Sequence, residues 1–205
     1  MVHFETWFFK GLLSLIWVLP VWMDSTRPIF CNSVEALRNK LNITLRKRYL
    51  KYNFPINYTI QVQYEEIFRM HNISRLMNGT QPVNETHLQW LWFEVTRRGI
   101  KHILDVLPER HPTRCKYLNN VESIFKDLEK IYSTQKPEEV DMPESIENIY
   151  ERLLEENGRR SVTPKSLLDN CYRTMHCLFK NDCFSEDENR DDYCNSHHWK
   201  KRKGT

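Results

Sequence analysis

The sequence has little glycine, with five residues among 205. Folds built from many tight turns depend on glycine, so this scarcity disfavours an all-β architecture and suits long helices. A chain of this length supports one domain of ordinary size and is short for two. The net charge of +3 is also small. It gives no indication of a nucleic-acid partner, because proteins that bind nucleic acid usually concentrate a basic stripe.

The sequence also lacks the motifs of enzymes. It has no glycine-rich phosphate loop, no HExxH and no GxSxG. The adjacent carboxylate pairs at 65–66 and 155–156 would diverge by about 100° on a helix, so neither pair flanks one substrate. We therefore expect no catalytic residue, no cofactor and no resident metal.

The first 25 residues are typical of a secretory signal peptide. An apolar run at 11–19 follows Lys10 and ends at Pro20. It is too short for a bilayer core, which needs about 20 apolar residues, and it fits a cleaved signal. We place the cleavage near 22–26. No later stretch is long enough to cross a membrane, so we expect a secreted, extracellular product.

Cysteines are even in number, which indicates disulfide bonds in an oxidising compartment. The six are Cys31, Cys115, Cys171, Cys177, Cys183 and Cys194. Spacing alone does not choose among their possible pairings. A zinc site using the last three with His197 and His198 is disfavoured, because it lacks a C-x2-C pair and such sites are mostly intracellular.

Five N-x-[ST] sequons support the same compartment. They are Asn42, Asn57, Asn72, Asn78 and Asn84. The last three lie in a polar linker and are the preferred glycosylation sites. Asn42 is expected inside a helix and Asn57 inside an apolar strand, so these two are weaker candidates.

Hydrophobic periodicity predicts four long amphipathic helices. The first covers about 32–51 and opens with a capping box. The second starts near residue 85, and Gly99 is a position where it could bend or end. The third follows the break at 108–112 and starts near Tyr117.

The fourth helix starts at Thr163-Pro164, a capping residue followed by proline at the first helical position. Two strand-like segments, at 54–62 and 160–163, lie in the connections and could pair across the bundle. Residues 64–77 are ambiguous and could form one short helix. A further short helix is predicted around 146–154.

The connections between the four helices are long, short and long. A short break makes the second and third helices antiparallel neighbours, and long connections permit crossovers. The expected fold is an all-α, up-up-down-down four-helix bundle over residues 26–183.

A polar tail, acidic and then basic, follows at 184–205. Its composition predicts disorder except where cysteines pair. Its basic end could contact glycosaminoglycans. That end consists of Lys200, Lys201, Arg202 and Lys203.

Trp90 and Trp92 stand two residues apart in the second helix. We expect one in the core and the other at its rim, where an exposed aromatic side chain can anchor a partner.

Several segments resemble the interleukin-34 family. The most specific are YLKYNFPINY at 49–58 and PKSLLDNC at 164–171. Residues 64–69, 72–76 and 111–118 are similar to family sequence as well. The likeness covers roughly 31–183. The chain departs from the family in its extra sequons, in an insertion at Cys115 and in its short basic tail.

The resemblance implies a homodimeric four-helix cytokine. Such a protein would bind the macrophage colony-stimulating factor receptor, bring two receptor tyrosine kinases together, and sustain monocytes and macrophages. Phe54, Pro55 and Ile56, at the first crossover, are the candidate dimer patch. Matching the cysteines of the family implies the pairs Cys31–Cys171 and Cys183–Cys194.

Cys115 and Cys177 are left over by that matching. If the third and fourth helices run parallel, Cys115 lies level with about residue 167, roughly 15 Å along the axis from Cys177. A disulfide needs Cα atoms within about 7 Å. We expect no bond between the two. Cys115 is then free or bonded between subunits, and Cys177 pairs with a tail cysteine or stays free.

The alternative function is a secreted helical binding or carrier protein. Its mark would be an internal apolar cavity of ligand size, whereas a cytokine core is expected to be packed solid.

Overall fold

The computed structural model describes residues 28–63, 70–79, 83–134, 142–155, 158–184 and 194. The predicted signal peptide at 1–25 lies outside the described residues. So does the predicted tail, apart from Phe184 and Cys194.

The described residues form a helical fold with one small β-ribbon, which confirms the all-α prediction. The α-helices are α1 (Cys31–Lys40), α2 (Ile43–Arg46), α3 (Met70–Met77), α4 (Glu85–Asp105), α5 (Asn119–Thr134), α6 (Glu144–Leu154), α7 (Pro164–Leu178) and α8 (Lys180–Cys183). A π-helical turn, Lys47–Lys51, extends α2, and another, Arg114–Leu118, leads into α5. The strands are β1 (Ile60–Gln63) and β2 (Arg159–Val162).

The first predicted helix is interrupted at Asn42. This residue has an extended backbone, and its Oδ1 accepts a hydrogen bond of 3.0 Å from the backbone N–H of Leu45. Its Nδ2 donates to the carbonyl of Asn39 at 2.6 Å. Asparagine side chains compete with the helix for backbone groups in this way. The prediction of one unbroken helix over 32–51 was therefore wrong, and Asn42 caps α2.

The longest helix, α4, runs through Gly99 without a break. A Cβ atom at Gly99 would lie 3.1 Å from Cδ2 of Leu167 on α7. Because glycine has no side chain, α4 and α7 can approach closely at this position. The expectation that Gly99 would bend or end the helix was wrong, because the helix continues to Asp105. At the other end, Oδ1 of Asn84 caps the helix by accepting from His87 N–H at 2.8 Å.

The last long helix begins as the sequence predicts. Thr163 Oγ1 accepts a hydrogen bond of 3.1 Å from Ser166 N–H, and Pro164 occupies the first helical turn. Proline is suited to that position because its missing N–H would have no helical partner.

The two strands pair antiparallel, from Ile60 opposite Val162 to Gln63 opposite Arg159. This confirms the pairing predicted between the two connections. The first strand is shorter than expected, because residues 55–58 form a turn in which Tyr58 N–H donates to the Pro55 carbonyl at 3.0 Å.

Helix α4 is central: it contacts α5, α6, α7 and β1, and α1 packs against α5. Aromatic rings fill the space between these elements. Trp92 meets Phe179 edge-on at 5.2 Å, and Phe93 lies 5.0 Å from Tyr132, both between ring centroids. Such contacts add to the gain from burying apolar area. The up-up-down-down order of helix directions stays a prediction.

A polar contact ties α2 to α7. Arg46 Nε donates to Asp169 Oδ1 at 2.6 Å, and the Arg46 side chain is only 6% exposed. Lys165 makes a second, short contact with the same carboxylate. The Arg46 guanidinium also lies 4.6 Å from the centroid of the Tyr172 ring.

Cys31 is bonded to Cys183, with Cα atoms 5.0 Å apart, and not to Cys171. The predicted Cys31–Cys171 bridge was therefore wrong. The start of α1 lies next to the end of α8 and not next to the middle of α7. Between Cys171 and Leu178 alone the chain advances roughly 10 Å along the helix axis, more than a disulfide spans.

The second bridge joins Cys177 to Cys194. The predicted Cys183–Cys194 bond was wrong, because Cys183 is already used by Cys31. Cys115 and Cys171 carry free thiols. The expectation that Cys115 and Cys177 do not bond is confirmed. Of the two outcomes left open for Cys177, the structure shows the bond to a tail cysteine.

Candidate interaction surface

The first crossover and the loop between α4 and α5 meet on one face of the bundle. Thr113 Oγ1 donates to the Tyr49 carbonyl at 3.0 Å. The rings of Tyr49 and Tyr117 stack nearly parallel, with centroids 5.0 Å apart. These two contacts fix the chain that leads into residues 52–58.

Phe54 anchors the turn that follows. Its ring centroid lies 5.1 Å from that of Tyr58 and 6.3 Å from that of His111. His111 is itself held, because its Nδ1 accepts from the backbone N–H of Thr113 at 3.2 Å. The turn therefore rests on aromatic contacts.

The tip of this turn is apolar and exposed. Ile56, at the tip, is 94% exposed, and Tyr52, which precedes the turn, is 69% exposed. Pro55 is exposed too, whereas Phe54 is half-buried. Of the three residues predicted as a dimer patch, two can meet a partner and one holds them in place. We call residues 54–58 the apolar turn.

A shallow groove of about 540 Å³ is lined by residues that precede the apolar turn in the sequence. Its lining residues are Ile43, Thr44, Lys47, Arg48, Tyr52 and Asn53. Lys47, Arg48 and Lys51 are exposed. We call these three residues, together with Ile43 and Tyr52, the basic face.

The basic face could not be recognised from a sequence motif. Its signal is an absence: between Glu35 and Glu65 the chain has no acidic residue, although it has six basic ones. One of the six, Arg46, points inward to Asp169. The local charge is hidden in the small net charge of the whole chain.

The sequons occupy several kinds of position. Asn57, Asn78 and Asn84 are exposed, Asn42 is half-buried in its capping contacts, and Asn72 lies in α3. Asn57 belongs to the apolar turn and precedes the strand, so the reason for ranking it as a weaker candidate no longer holds. Which sequons carry glycans stays a prediction.

Trp90 and Trp92 are both buried, with 9% and 1% of their surface exposed. Trp90 packs against Tyr150 of α6, with ring centroids 5.2 Å apart. The expectation that one of the pair would anchor a partner from the rim was wrong, because α6 covers that side of α4.

A cleft of about 470 Å³ opens between α4, α7 and the β-ribbon. Its walls combine apolar side chains with Arg98, His102 and Arg159. Burial and the neighbouring Arg159 guanidinium lower the pKa of His102. Carrier proteins enclose ligands in mostly apolar cavities, and this charged wall does not match that description.

The two free thiols differ in their surroundings. Cys115 is exposed, and its Sγ donates to the Glu109 carbonyl at 2.6 Å. Cys171 is buried, and burial raises the pKa of its thiol to about 12. Nucleophilic reactivity requires the thiolate, so Cys171 is inert at neutral pH.

Within the described ranges no helix is long and apolar enough to cross a membrane. The same part of the chain holds no group of three or more histidine, cysteine, aspartate or glutamate side chains placed to bind a metal ion. The basic residues 200–203 lie outside the described residues.

The geometry alone does not identify the protein family, but a comparison with known families does. The family model described as Interleukin 34 matches residues 24–188. The chain belongs to the interleukin 34 family. The match includes both disulfide-bonded residues of the first bridge, the apolar turn and the basic face.

The interleukin 34 family is a family of cytokines and not a family of enzymes. For a cytokine, exposed protein-binding surfaces are the functional sites. Among the described residues, the apolar turn and the basic face are candidates for that role, because one supplies exposed apolar area and the other concentrates charge of one sign.

Proposed function

We propose that this protein is a secreted cytokine that binds and dimerises the macrophage colony-stimulating factor receptor. Through that receptor tyrosine kinase it promotes survival, proliferation and differentiation of monocytes and macrophages. The observation that carries the proposal is the interleukin 34 family match over residues 24–188, which includes every described helix.

Three observations support secretion. The apolar run at 11–19 has the length of a signal sequence, and the family match begins at residue 24, next to the proposed cleavage. Two disulfide bonds require an oxidising compartment. Exposed sequons at Asn57, Asn78 and Asn84 would receive glycans along the same route.

The active form is a homodimer joined through the apolar turn. A twofold dimer presents two copies of one receptor-binding surface, so it can hold two receptor chains at once. Ile56 supplies the exposed apolar side chain that such an interface buries. Signalling then depends on the symmetric binding of two receptor chains and on the concentration of the dimer, and the cytokine itself catalyses no step.

The basic face contacts the receptor. Lys47, Arg48 and Lys51 give it one sign of charge, and Tyr52 and Ile43 add exposed apolar area. Positive surfaces accelerate association with acidic partners, and aromatic side chains often dominate binding energy. The basic tail at 200–203 adds weaker contacts with glycosaminoglycans.

Receptor phosphorylation tests the proposal. Purified protein is applied to cells that express the receptor and to parental cells that lack it. We expect phosphorylation in the first population alone. Ile56→Asp should still bind single receptor chains but lose phosphorylation, because it charges the dimer interface. Absence of phosphorylation by correctly folded wild-type dimer would refute the receptor assignment.

A further inference from the structure

The apolar turn has a defined backbone. Tyr58 N–H donates to the Pro55 carbonyl at 3.0 Å, and Asn57 has a φ of 64°. A positive φ at the third residue is the mark of a type II turn, and asparagine tolerates that conformation better than most residues. Ile56 and Asn57 are therefore the two central residues at the tip.

The tip combines two features with opposite demands. Ile56 is 94% exposed, the most exposed large apolar side chain of the described residues. Its neighbour Asn57 is exposed and starts the sequon Asn57-Tyr58-Thr59. An N-linked glycan is bulky and hydrated, whereas a protein interface must exclude water from its apolar centre.

We propose that Asn57 is a glycosylation site whose glycan blocks the dimer interface at the apolar turn. The inference rests on the proposed dimer. A sugar chain attached one residue from Ile56 covers the surface that the second copy would bury. Chains glycosylated at Asn57 are then monomeric, and chains without that glycan dimerise. Site occupancy sets the amount of active cytokine.

The turn is held rigidly, so a glycan on Asn57 and a second copy of the chain would compete for the same surface. Phe54 is held against Tyr58 and His111 on one side of the tip. The hydrogen bond between Tyr58 and Pro55 closes the turn. The attachment point therefore cannot move away from Ile56 without breaking these contacts.

A second sequon gives a matched control. Asn84 caps the start of α4, while the loop that carries His111 follows the end of that helix. The helix Glu85–Asp105 is about 30 Å long at 1.5 Å per residue. A glycan on Asn84 is thus attached at the opposite end of α4 and should not block the apolar turn.

The experiment changes the sequon threonines and leaves both asparagines in place. Thr59→Ala removes the sequon of Asn57, Thr59→Ser keeps it, and Thr86→Ala removes that of Asn84. Each variant is secreted from cells that glycosylate. Monomer and dimer are separated by size-exclusion chromatography with light scattering, and glycopeptides of each fraction are identified by mass spectrometry.

We expect the Asn57 glycopeptide in the monomer fraction and its loss from the dimer fraction. Thr59→Ala should shift the protein to dimer, whereas Thr59→Ser and Thr86→Ala should keep the wild-type distribution. Equal Asn57 occupancy in both fractions, or no occupancy in either, would overturn the inference. If Thr59→Ala is monomeric at micromolar concentration, the proposed dimer itself fails.

Discussion

Cys31 and Cys183 join the first residue of α1 to the last residue of α8, across 152 positions of the chain. Both cysteines are buried. The bond closes nearly the whole bundle into one covalent loop, so the first and last elements cannot separate while it is intact. It restricts the unfolded chain more than it adds contacts to the folded one.

Loss of this bridge should destabilise the protein strongly. Chain-entropy models give about 5 kcal/mol as an upper value for a loop of this length. We expect the double variant Cys31→Ser/Cys183→Ser to be secreted poorly or to melt at a much lower temperature. Cys115→Ser, which removes an exposed free thiol, is the control. An unchanged melting curve for the double variant would contradict the assignment.

The two free cysteines should react differently with iodoacetamide at neutral pH. Cys115 is exposed and Cys171 is buried with a pKa raised to about 12. Intact mass should show one adduct in the folded protein and two after unfolding. Peptide mapping should place the first adduct on Cys115. Rapid labelling of Cys171 in folded protein would contradict the burial of this side chain.

The contact between Arg46 and Asp169 should be costly to break from one side. Removing one partner of a buried ion pair costs about 3–5 kcal/mol, and Arg46 is nearly fully buried. Asp169 is 24% exposed, so we expect Asp169→Asn to fall at or below the lower end of that range. Asp127→Asn breaks an exposed pair with Lys130 and should change stability by less than about 1 kcal/mol. Urea unfolding measures both.

Stability should fall in alkaline solution. Burial raises the pKa of the Cys171 thiol from its ordinary 9.0 to about 12 and raises the pKa values of the Tyr117 and Tyr132 phenols. The folded state keeps these protons while the unfolded chain releases them. The stabilisation is complete below about pH 9 and is lost as the pH rises towards 12.

Thermal unfolding between pH 7 and pH 11 measures this decline. Cys171→Ala removes the cysteine contribution, so its stability should decline less steeply between pH 9 and pH 10 than that of the wild type. Slopes are compared because the substitution itself lowers stability. Parallel curves for the two proteins would argue against a buried thiol in this position.

The basic face should make receptor association sensitive to salt. Reversing charge with Lys47→Glu/Lys51→Glu should lower the association rate and weaken its dependence on ionic strength. Lys126→Glu/Lys130→Glu, on exposed positions of α5, is the matched control. Surface plasmon resonance at several salt concentrations gives both quantities. Equal effects of the two double variants would remove the basic face from the receptor interface.

Local signals predicted most elements of the fold. Thr163-Pro164 fixed the start of α7, and apolar spacing located α4, α5 and α6, because caps and periodicity act within a few residues. The break at Asn42 was missed because a capping side chain is indistinguishable in sequence from a polar residue on a helix surface. Whether Asn42 caps a helix depends on which backbone groups form hydrogen bonds with its side-chain amide.

The disulfide pairing could not be read in the same way. It depends on how far α1 is shifted along α7 and α8, and no local pattern records that shift. Cys171, in the middle of α7, and Cys183, at the end of α8, are both buried, so burial alone does not decide which of them meets Cys31. The choice follows from packing in three dimensions.

The bond between Cys177 and Cys194 has a consequence for limited proteolysis. A protease that cuts the acidic stretch between these residues would not release the chain beyond the cut, because Cys194 remains attached to α7. The nicked protein would keep its mass, plus one water, and run as one band without reductant. A fragment that contains the basic residues 200–203 would separate only after reduction, so cleavage there creates two new chain ends without releasing the tail.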